Sequence, residues 1–321
     1  MDPYEDNKLN PMPTLSIIIP LYNEEKNLGR LHERLQEVLG TLATDWEIIF
    51  VDDGSSDRTL AMIEEIASGN PSVKGVSLTR NFGHQAALMA GLDRADADAI
   101  ITMDGDLQDP PELIPQLVDK WREGFQVVYA RRRNYRSDHL LKRWLSKLFY
   151  FTIKVLRMTT APKNVGDFRL IDRRVLEELK LMRERTRYLR GMVSWLGFSY
   201  AFVDYDRPDR TDGKAGYSFG QLMKLAMDGF FSFSRVPLRI GLFLGIFSIL
   251  IGLGFMVYMI ADILINHVYY HLYKLLVDVI FIFMGFLFIL IWILGEYIGR
   301  IYHEVKGRNL YIIHKTVNLG D

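Results

Sequence analysis

Three carboxylates lie close together in the segment MDGDLQDP, residues 103–110, directly after the apolar run AIIT. They belong to Asp104, Asp106 and Asp109. Because acidic groups this close repel one another, the segment is expected to attract a positive partner. Two carboxylates separated by one glycine, in a loop at a strand end, can both reach one divalent cation. Mg²⁺ is typically held by one or two carboxylates plus substrate phosphates, and Mn²⁺ accepts the same oxygen ligands. The spacing therefore predicts a Mg²⁺ or Mn²⁺ site at Asp104 and Asp106, with the cation bridging a diphosphate.

A second acidic turn, VDDGSSDRT at residues 51–59, also follows an apolar strand pattern. Asp52 and Asp53 end that strand, and Gly54 allows a tight turn before the next helix. Acids at such strand ends can accept hydrogen bonds from a base or ribose. The turn is weak evidence alone, because Asp-Gly-Ser turns are common. Together with the acids at 104 and 106 it predicts a nucleotide site.

The composition excludes several other kinds of site and partner. The 321 residues contain no cysteine, which excludes disulfides and thiolate metal sites. The 39 basic side chains equal the 39 acidic ones, and this balance argues against a nucleic-acid partner. The length suits one catalytic domain with an appendage. Residues 1–13 are polar and contain no apolar signal-peptide core, so we expect a flexible start.

The elements that must position these acids alternate between strand and helix patterns. The predicted strands cover residues 15–23, 46–53, 73–79, 99–104 and 126–132. The predicted helices cover residues 24–39, 57–68, 83–95 and 110–124. Continuous apolar strands separated by helices predict an α/β fold with a mostly parallel, Rossmann-like sheet. Ligands bind such sheets at the carboxyl ends of the strands, where the acids lie.

Two apolar runs follow in the last third of the chain. Ile240–Ile260 contains no ionisable side chain, and Leu275–Ile298 has Asp278 and Glu296 only near its ends. A run of ~20 apolar residues is long enough for a bilayer core. We therefore predict two transmembrane helices within 236–299, at about 240–261 and 275–298; a pair of buried core helices is the alternative.

Basic residues flank the two runs on the outside and predict the orientation. They are Arg235, Arg239, Arg300, Lys306 and Arg308. The loop between the runs has one lysine and no arginine, so both termini, including a tail at 300–321, are expected to be cytoplasmic. This predicts a multi-pass protein of the cytoplasmic (inner) membrane. The segments near 138–158, basic and amphipathic, and 216–235 are predicted to lie at the membrane surface, with packing on the chain's own domain as the alternative for 138–158.

Four motifs in order resemble the family 2 glycosyltransferases of GT-A fold. They are SIIIPLYNEEKNL, VDDGSSDRT, RNFGHQAALMAGLDRADADAIITMDGDLQDPPELIP and VGDFRLIDRRV. Within this family the chain is most similar to polyprenyl-phosphate glycosyltransferases, the relatives of dolichyl-phosphate mannose synthase, and to the bactoprenol glucosyl transferases with two C-terminal spans. The resemblance implies a GT-A catalytic domain at 14–230. It also implies inverting transfer of one sugar from a nucleotide diphosphate to a polyprenyl phosphate, with UDP-glucose favoured as donor and GDP-mannose left open.

The resemblance also implies roles for individual positions. The residues expected around the nucleotide sugar are Pro20, Tyr22, Asn23, Glu24, Asp53, Asp104 and Gln108. Asp106 joins Asp104 at the cation and the diphosphate, and Asp167 and Arg169 are placed near the acceptor phosphate and the anomeric carbon. The residues expected at the acceptor phosphate are Arg131, Arg210, Lys214 and Tyr217. Ala215 and Gly216 stand where the family usually has Ser/Thr and Lys, so the role of that loop is open.

The chemistry of a lipid phosphate bears on the role of Asp167. A phosphate monoester has a second pKa near ~6, so the acceptor is already a dianionic nucleophile at neutral pH. Strong base catalysis is then unnecessary, and we predict that Asp167 orients an arginine or the acceptor, with proton abstraction as a lesser role. Cations must offset the repulsion between diphosphate and phosphate.

Two other kinds of protein are compatible with parts of this pattern. A processive polysaccharide synthase would resemble its relatives in a Gln-x-x-Arg-Trp motif, but Leu140 stands at the Gln position before Arg143 and Trp144. A non-catalytic membrane adaptor would not need Asp104 with Asp106. We also expect a homo-oligomer, for which a tetramer is one form, and a separate flippase partner, since two spans are too few for a conduit.

Overall fold

The computed structural model describes most of the predicted catalytic domain. The described residues are 15–133, 162, 164–182, 184, 188–206, nine single positions between 247 and 265, and 272–319. The predicted surface segments 138–158 and 216–235 lie outside these residues, as does most of the first predicted span, 240–261. The described residues divide into two compact units, one built around a large sheet and one containing the long helix near the C-terminus.

The first unit contains an eight-stranded sheet. Its strands are β1 (Leu15–Leu21), β2 (Trp46–Asp52), β3 (Val73–Leu78), β4 (Ala99–Thr102), β5 (Val127–Arg132), β6 (Val165–Asp172), β7 (Tyr200–Tyr205) and β8 (Ile313–Val317). Their order across the sheet is β7-β5-β6-β4-β1-β2-β3-β8. Pairs β1–β2, β1–β4, β2–β3 and β5–β7 are parallel, whereas β6 and β8 pair antiparallel with their neighbours. The mostly parallel α/β sheet predicted from the sequence is confirmed.

Helices cover both faces of the sheet, which is why its inner strands are apolar throughout. The helices are α1 (Leu28–Leu39), α2 (Thr59–Gly69), α3 (His84–Arg94), α4 (Ile114–Arg122), α5 (Arg173–Leu181) and α6 (Leu189–Trp195), with a 3₁₀ turn at Pro111–Leu113. Side chains alternate between the faces of a strand. Accordingly Ile17 and Ile19 of β1 join one buried cluster, and Ile18 between them joins the other.

The antiparallel strand β6 brings the motif VGDFRLID to the acidic turns. Thr102, the last residue of β4, pairs with Arg169 of β6. The Thr102 hydroxyl also donates a hydrogen bond to the Asp167 carbonyl. The beginning of β6 therefore lies at the sheet edge where β1, β2 and β4 end. This edge is where a mostly parallel sheet binds ligands.

The C-terminal segment predicted as a tail includes a strand of the same sheet. Strand β8 pairs antiparallel with β3, and Lys315 forms an exposed ion pair with Glu64. Asn318 has a left-handed backbone (φ 56°), and its side-chain amide donates to the Ala67 carbonyl at 2.6 Å and the Val73 carbonyl at 2.9 Å. The sequence predicts no regular structure here, because a strand of five residues gives too short a pattern. The pairing returns the chain end to the catalytic sheet.

Replacing Asn318 with alanine is expected to destabilise this edge by about 1–3 kcal/mol, since buried carbonyls lose their donor and alanine is strained at positive φ. Thermal unfolding of the purified protein measures the change. Lys315→Ala, in the strand that precedes Asn318, is the matched control, because an exposed ion pair contributes only about 0–1 kcal/mol. Equal effects of the two substitutions would contradict the role given to Asn318.

Helix α7 (Leu272–Val305) belongs to the second unit and contains the second predicted span, 275–298. Its exposed apolar side chains include Leu287, Phe288, Ile291 and Leu294. Among the described residues, no helix has the combination of length and hydropathy needed to cross a bilayer.

Candidate active site

The turn DGDLQDP is held in a strained shape directly after β4. Gly105 lies against β1 so closely that an added Cβ would come within 2.4 Å of the Leu21 side chain. Leu107 has a positive φ of 61°, which is unfavourable for a residue with a bulky side chain. Asp109 accepts a hydrogen bond from the Asp104 backbone N–H at 3.1 Å. Strain of this kind persists where the surroundings enforce it, often at functional sites.

One oxygen atom of Asp104 is suited to binding a cation. Its Oδ1 is buried, and no hydrogen-bond donor satisfies it among the described residues. A buried carboxylate oxygen without a donor costs free energy unless a positive group approaches. Asp106, two residues away, accepts from the Gln108 backbone N–H through Oδ1 at 3.1 Å. Within the part of the chain that the structure describes, no three His, Asp or Glu side chains form a complete metal site. Asp104 and Asp106 offer the one or two carboxylates with which Mg²⁺ is held when substrate phosphates complete its coordination.

Within this turn, Asp109 is a fully buried carboxylate. The Tyr205 hydroxyl donates to its Oδ1 at 3.0 Å, and the Arg132 guanidinium lies 3.9 Å from the same oxygen. Burial, with a further contribution from the charge of Asp104, raises the pKa of Asp109 to about 7. Asp109 thus connects the turn to Tyr205 of β7 and Arg132 of β5.

Replacing Asp109 with asparagine is expected to flatten the pH dependence of stability. The carboxyl is protonated in the folded state up to about pH 7, whereas in the unfolded chain it ionises near ~3.9. Titration of Asp109 should therefore lower the free energy of unfolding of the wild type by a few kcal/mol as pH rises from about 4 to 7, and the variant should lack this contribution. Unfolding in EDTA across this range measures it. Tyr205→Phe retains the titrating carboxyl and should retain the slope; parallel curves for Asp109→Asn and wild type would contradict the assignment.

Asp167, at the beginning of β6, gathers cationic and polar side chains. Arg169 donates to its Oδ1 at 3.0 Å, and Arg190 donates through Nε and Nη2 at 3.2 and 2.9 Å. Gln85 donates to its Oδ2 at 3.4 Å. Burial alone would raise the pKa of Asp167, but the hydrogen bond from His84 and the charges of Arg190 and Arg169 outweigh it and hold the pKa far below its usual range. Asp167 is therefore an anion at all ordinary pH values.

His84, the first residue of α3, lies between the two acids. Its Nε2 is 3.5 Å from Asp104 Oδ1 and 3.4 Å from Asp167 Oδ2. Both carboxylates thus lie within reach of one nitrogen. The acid suited to a cation and the acid paired with two arginines belong to one site.

Comparison with known proteins assigns the chain to a family. The profile of Glycosyl transferase family 2 matches residues 16–180. The chain belongs to this family. An uncharacterized glycosyltransferase from Synechocystis sp. is 43% identical over 93% of this chain and 94% of its own length. The bactoprenol glucosyl transferase of Shigella phage SfV is 40% identical over 93% of this chain and 97% of its own. A prophage bactoprenol glucosyl transferase homolog from Escherichia coli K12 is 39% identical over 94% and 99%.

In this glycosyltransferase the residues predicted to bind the nucleotide lie along two neighbouring turns. Pro20 is buried in β1, whereas Tyr22, just beyond the strand, is 48% exposed. Asn23 has a positive φ of 55°, and its side-chain oxygen accepts from the Ser56 backbone N–H. The Glu24 backbone N–H donates to the Thr59 hydroxyl. The two turns are thereby bound to each other.

Asp53 is engaged within the glycosyltransferase fold itself. Its two oxygens accept from the backbone N–H groups of Phe82 and Gly83 at 2.7 and 2.9 Å, and burial raises its pKa. These bonds fix the loop that leads into α3. The prediction that Asp53 contacts the base stays a prediction, and the structure adds this supporting role. Gln108, predicted near the sugar, is 7% exposed.

Of the residues predicted for the acceptor phosphate, the structure describes Arg131, and its ion pair is with Asp204 and not with Asp104 or Asp167. Arg131 forms a two-point ion pair with Asp204 at 2.6 and 2.9 Å and lies over the Phe202 ring. Its neighbour on the strand, Arg132, is the one directed toward Asp109. The other residues of that prediction, Arg210, Lys214 and Tyr217, lie outside the described residues.

Sequence reasoning missed several residues of this site. His84 and Gln85 stood inside the motif RNFGHQ, at the beginning of a predicted helix, and that position was a usable signal. Arg190 had no such signal, because it lies 23 residues from Asp167 in the chain and reaches it only through the packing of α6. Tyr205 likewise joins Asp109 across 96 residues.

Proposed function

We propose that this glycosyltransferase transfers a single glucose from UDP-glucose to the phosphate of a polyprenyl phosphate, with inversion at the anomeric carbon. The observation that carries the proposal is the adjacency of Asp104 and Asp167 around His84. One acid suits a cation-bound diphosphate, and the other holds arginines suited to a second anion. The relatives named bactoprenol glucosyl transferase supply the sugar and the class of acceptor.

The reaction follows from the charges of the two substrates. A phosphate oxygen of the acceptor attacks the anomeric carbon, the bond from that carbon to the β-phosphate oxygen of UDP breaks, and UDP leaves with the electron pair. No proton must be removed from a dianionic phosphate. The low pKa of Asp167 agrees with this, because a carboxylate so strongly stabilised is a poor base. Asp167 instead orients the guanidinium groups of Arg169 and Arg190.

Asp104 and Asp106 would hold a Mg²⁺ or Mn²⁺ ion together with the donor diphosphate. Such an ion, when bound, neutralises charge on the diphosphate and aids its departure. The buried Oδ1 of Asp104, which accepts no hydrogen bond from the described residues, supports this assignment. Asp109 and Gly105 keep the turn in the shape that presents the two acids.

We place the enzyme at the cytoplasmic face of the inner membrane, with both termini cytoplasmic. The run Ile240–Ile260, which has no Asp, Glu, Lys, Arg or His, suits contact with lipid tails, as do the exposed apolar side chains of α7. Strand β8 follows both apolar runs and pairs with β3, so the chain returns to the side of the membrane that holds the catalytic sheet. An even number of crossings, such as the two proposed, satisfies this pairing.

A donor panel tests the proposal. The full-length protein in detergent receives polyprenyl phosphate, Mg²⁺ or Mn²⁺, and radiolabelled UDP-glucose, UDP-N-acetylglucosamine or GDP-mannose. We expect release of UDP and extraction of a lipid carrying one glucose. A polymer would indicate a processive synthase, transfer from GDP-mannose alone a mannose synthase, and no product with any donor a non-catalytic protein; each outcome overturns the proposal.

A further inference from the structure

The two arginines that pair with Asp167 differ sharply in exposure. Arg169 is 2% exposed and lies with Asp167, itself 4% exposed, inside the domain. Arg190 is 38% exposed on the other side of the same carboxylate. The buried guanidinium of Arg169 stabilises Asp167 but is not accessible to a substrate phosphate. Of these two arginines, Arg190 is the one that a ligand can approach.

Arg190 is held in one orientation by two separate connections. Its Nε and Nη2 both bond to Asp167, which fixes the plane of the guanidinium. Gln85 donates to Asp167 and also accepts from the Leu189 backbone N–H at 3.2 Å, tying the residue before Arg190 to the beginning of α3. A guanidinium has five N–H donors in a fixed fork, so bonds to Asp167 leave donors for an anion. Arg190 is thus ready to bind before any ligand arrives.

The charge around Asp167 favours an anionic ligand at this position. Asp167 is paired with two guanidinium groups, which leaves one positive charge when the proposed divalent cation balances Asp104 and Asp106. His84, 40% exposed, adds a further positive charge when protonated, with its Nε2 between Asp104 and Asp167. An arginine that presents spare donors beside a cation-binding acid suits an oxyanion that must approach the diphosphate closely.

We propose that Arg190 binds the phosphate of the acceptor, and that Asp167 and Gln85 are the residues that position it. This inference rests on the proposed function, since it takes a polyprenyl phosphate as the acceptor. The acceptor contact is thereby assigned to an arginine on α6 and not to Arg131, which is paired with Asp204. Arg169 then acts from within, keeping Asp167 ionised so that it can hold Arg190.

Substitution of Arg190 tests the assignment through the two substrates separately. Full-length wild type, Arg190→Gln and Arg190→Lys are compared for KM with a polyprenyl phosphate and with UDP-glucose. Binding of citronellyl phosphate, a soluble short-chain prenyl phosphate, is measured by calorimetry without donor. We expect Arg190→Gln to raise the acceptor KM and the citronellyl phosphate Kd at least tenfold, and to leave the donor KM within about twofold. Arg190→Lys, which retains the charge but not the fork, should recover part of the loss.

Arg173→Gln is the matched control. Arg173 is 41% exposed, pairs with Asp96 and Asp98, and lies beyond the far end of β6, so both KM values and the citronellyl phosphate Kd should stay at wild-type values. An unchanged acceptor KM in Arg190→Gln, or a change confined to UDP-glucose, would overturn the inference. If Arg190→Gln does not fold, Gln85→Ala serves in its place with the same expected pattern. Wild type that binds citronellyl phosphate through Arg190 but transfers no glucose would overturn the proposed function and leave this inference standing.

Discussion

Asp104→Asn is expected to lower kcat/KM for sugar transfer by roughly a thousandfold. The substitution removes one of two carboxylates proposed to hold the divalent cation, and electrostatic stabilisation by such an ion amounts to several kcal/mol. At about 1.4 kcal/mol for each factor of ten, three orders of magnitude follow. A second measurement does not depend on turnover: Mn²⁺ binding in the presence of UDP, followed by electron paramagnetic resonance, should weaken at least tenfold.

The matched control for this prediction is Asp93→Asn. Asp93 accepts an exposed hydrogen bond from the Tyr311 hydroxyl and belongs to the far part of α3, so its loss should change neither Mn²⁺ binding nor transfer appreciably. EDTA should reduce the wild-type rate as strongly as the Asp104 substitution does. Undiminished transfer in EDTA, or wild-type Mn²⁺ affinity in Asp104→Asn, would exclude the cation site.

Asp167→Asn is expected to damage both stability and activity, through charge rather than through loss of a base. Removing one partner of a buried ion pair costs about 3–5 kcal/mol, here because the fully buried Arg169 loses its counter-charge. Transfer should fall by a factor of roughly 10²–10³, as on loss of a preorganised electrostatic group. Residual activity should show the wild-type dependence on pH. Chemical unfolding and a pH–rate series measure the two effects.

The sign of the pH dependence distinguishes this role from general-base catalysis. The folded-state pKa of Asp167 lies below that of the unfolded chain, so its stabilising contribution is present above about pH 4 and is lost only as pH falls toward the folded-state value. The contribution of the Asp167 carboxyl itself should thus be constant from about pH 5 to 8. The lost bond to His84, whose pKa Asp167 raises, adds a part that declines as pH rises through the His84 titration. Glu112→Gln, at an exposed two-point pair with Arg34, is the control and should cost at most about 1 kcal/mol. An acidic limb in the wild-type rate profile that disappears in Asp167→Asn would instead make Asp167 the base.

The positions of the acids at the strand ends were predictable because they depend on local pattern. Asp52, Asp53 and Asp104 each follow a strand whose apolar residues are continuous in the sequence, and parallel strands carry their ends to one edge. The β6 motif was recognised by resemblance, but its antiparallel direction was not predicted. That direction depends on hydrogen bonding between β6 and both β4 and β5, which neither strand encodes alone.

The sequence by itself determined the parallel core of this protein, its family and the acids at its strand ends. Each of these depends on patterns or motifs formed by residues close together in the chain. Tertiary structure alone decided which basic and polar side chains contact the other acids in and around the site. Arg190 reaches Asp167 from another helix, Tyr205 reaches Asp109 from an edge strand, and Arg131 pairs with Asp204 of the neighbouring strand. A long side chain can meet any of several acids, and only the packing of the elements that carry both partners selects one.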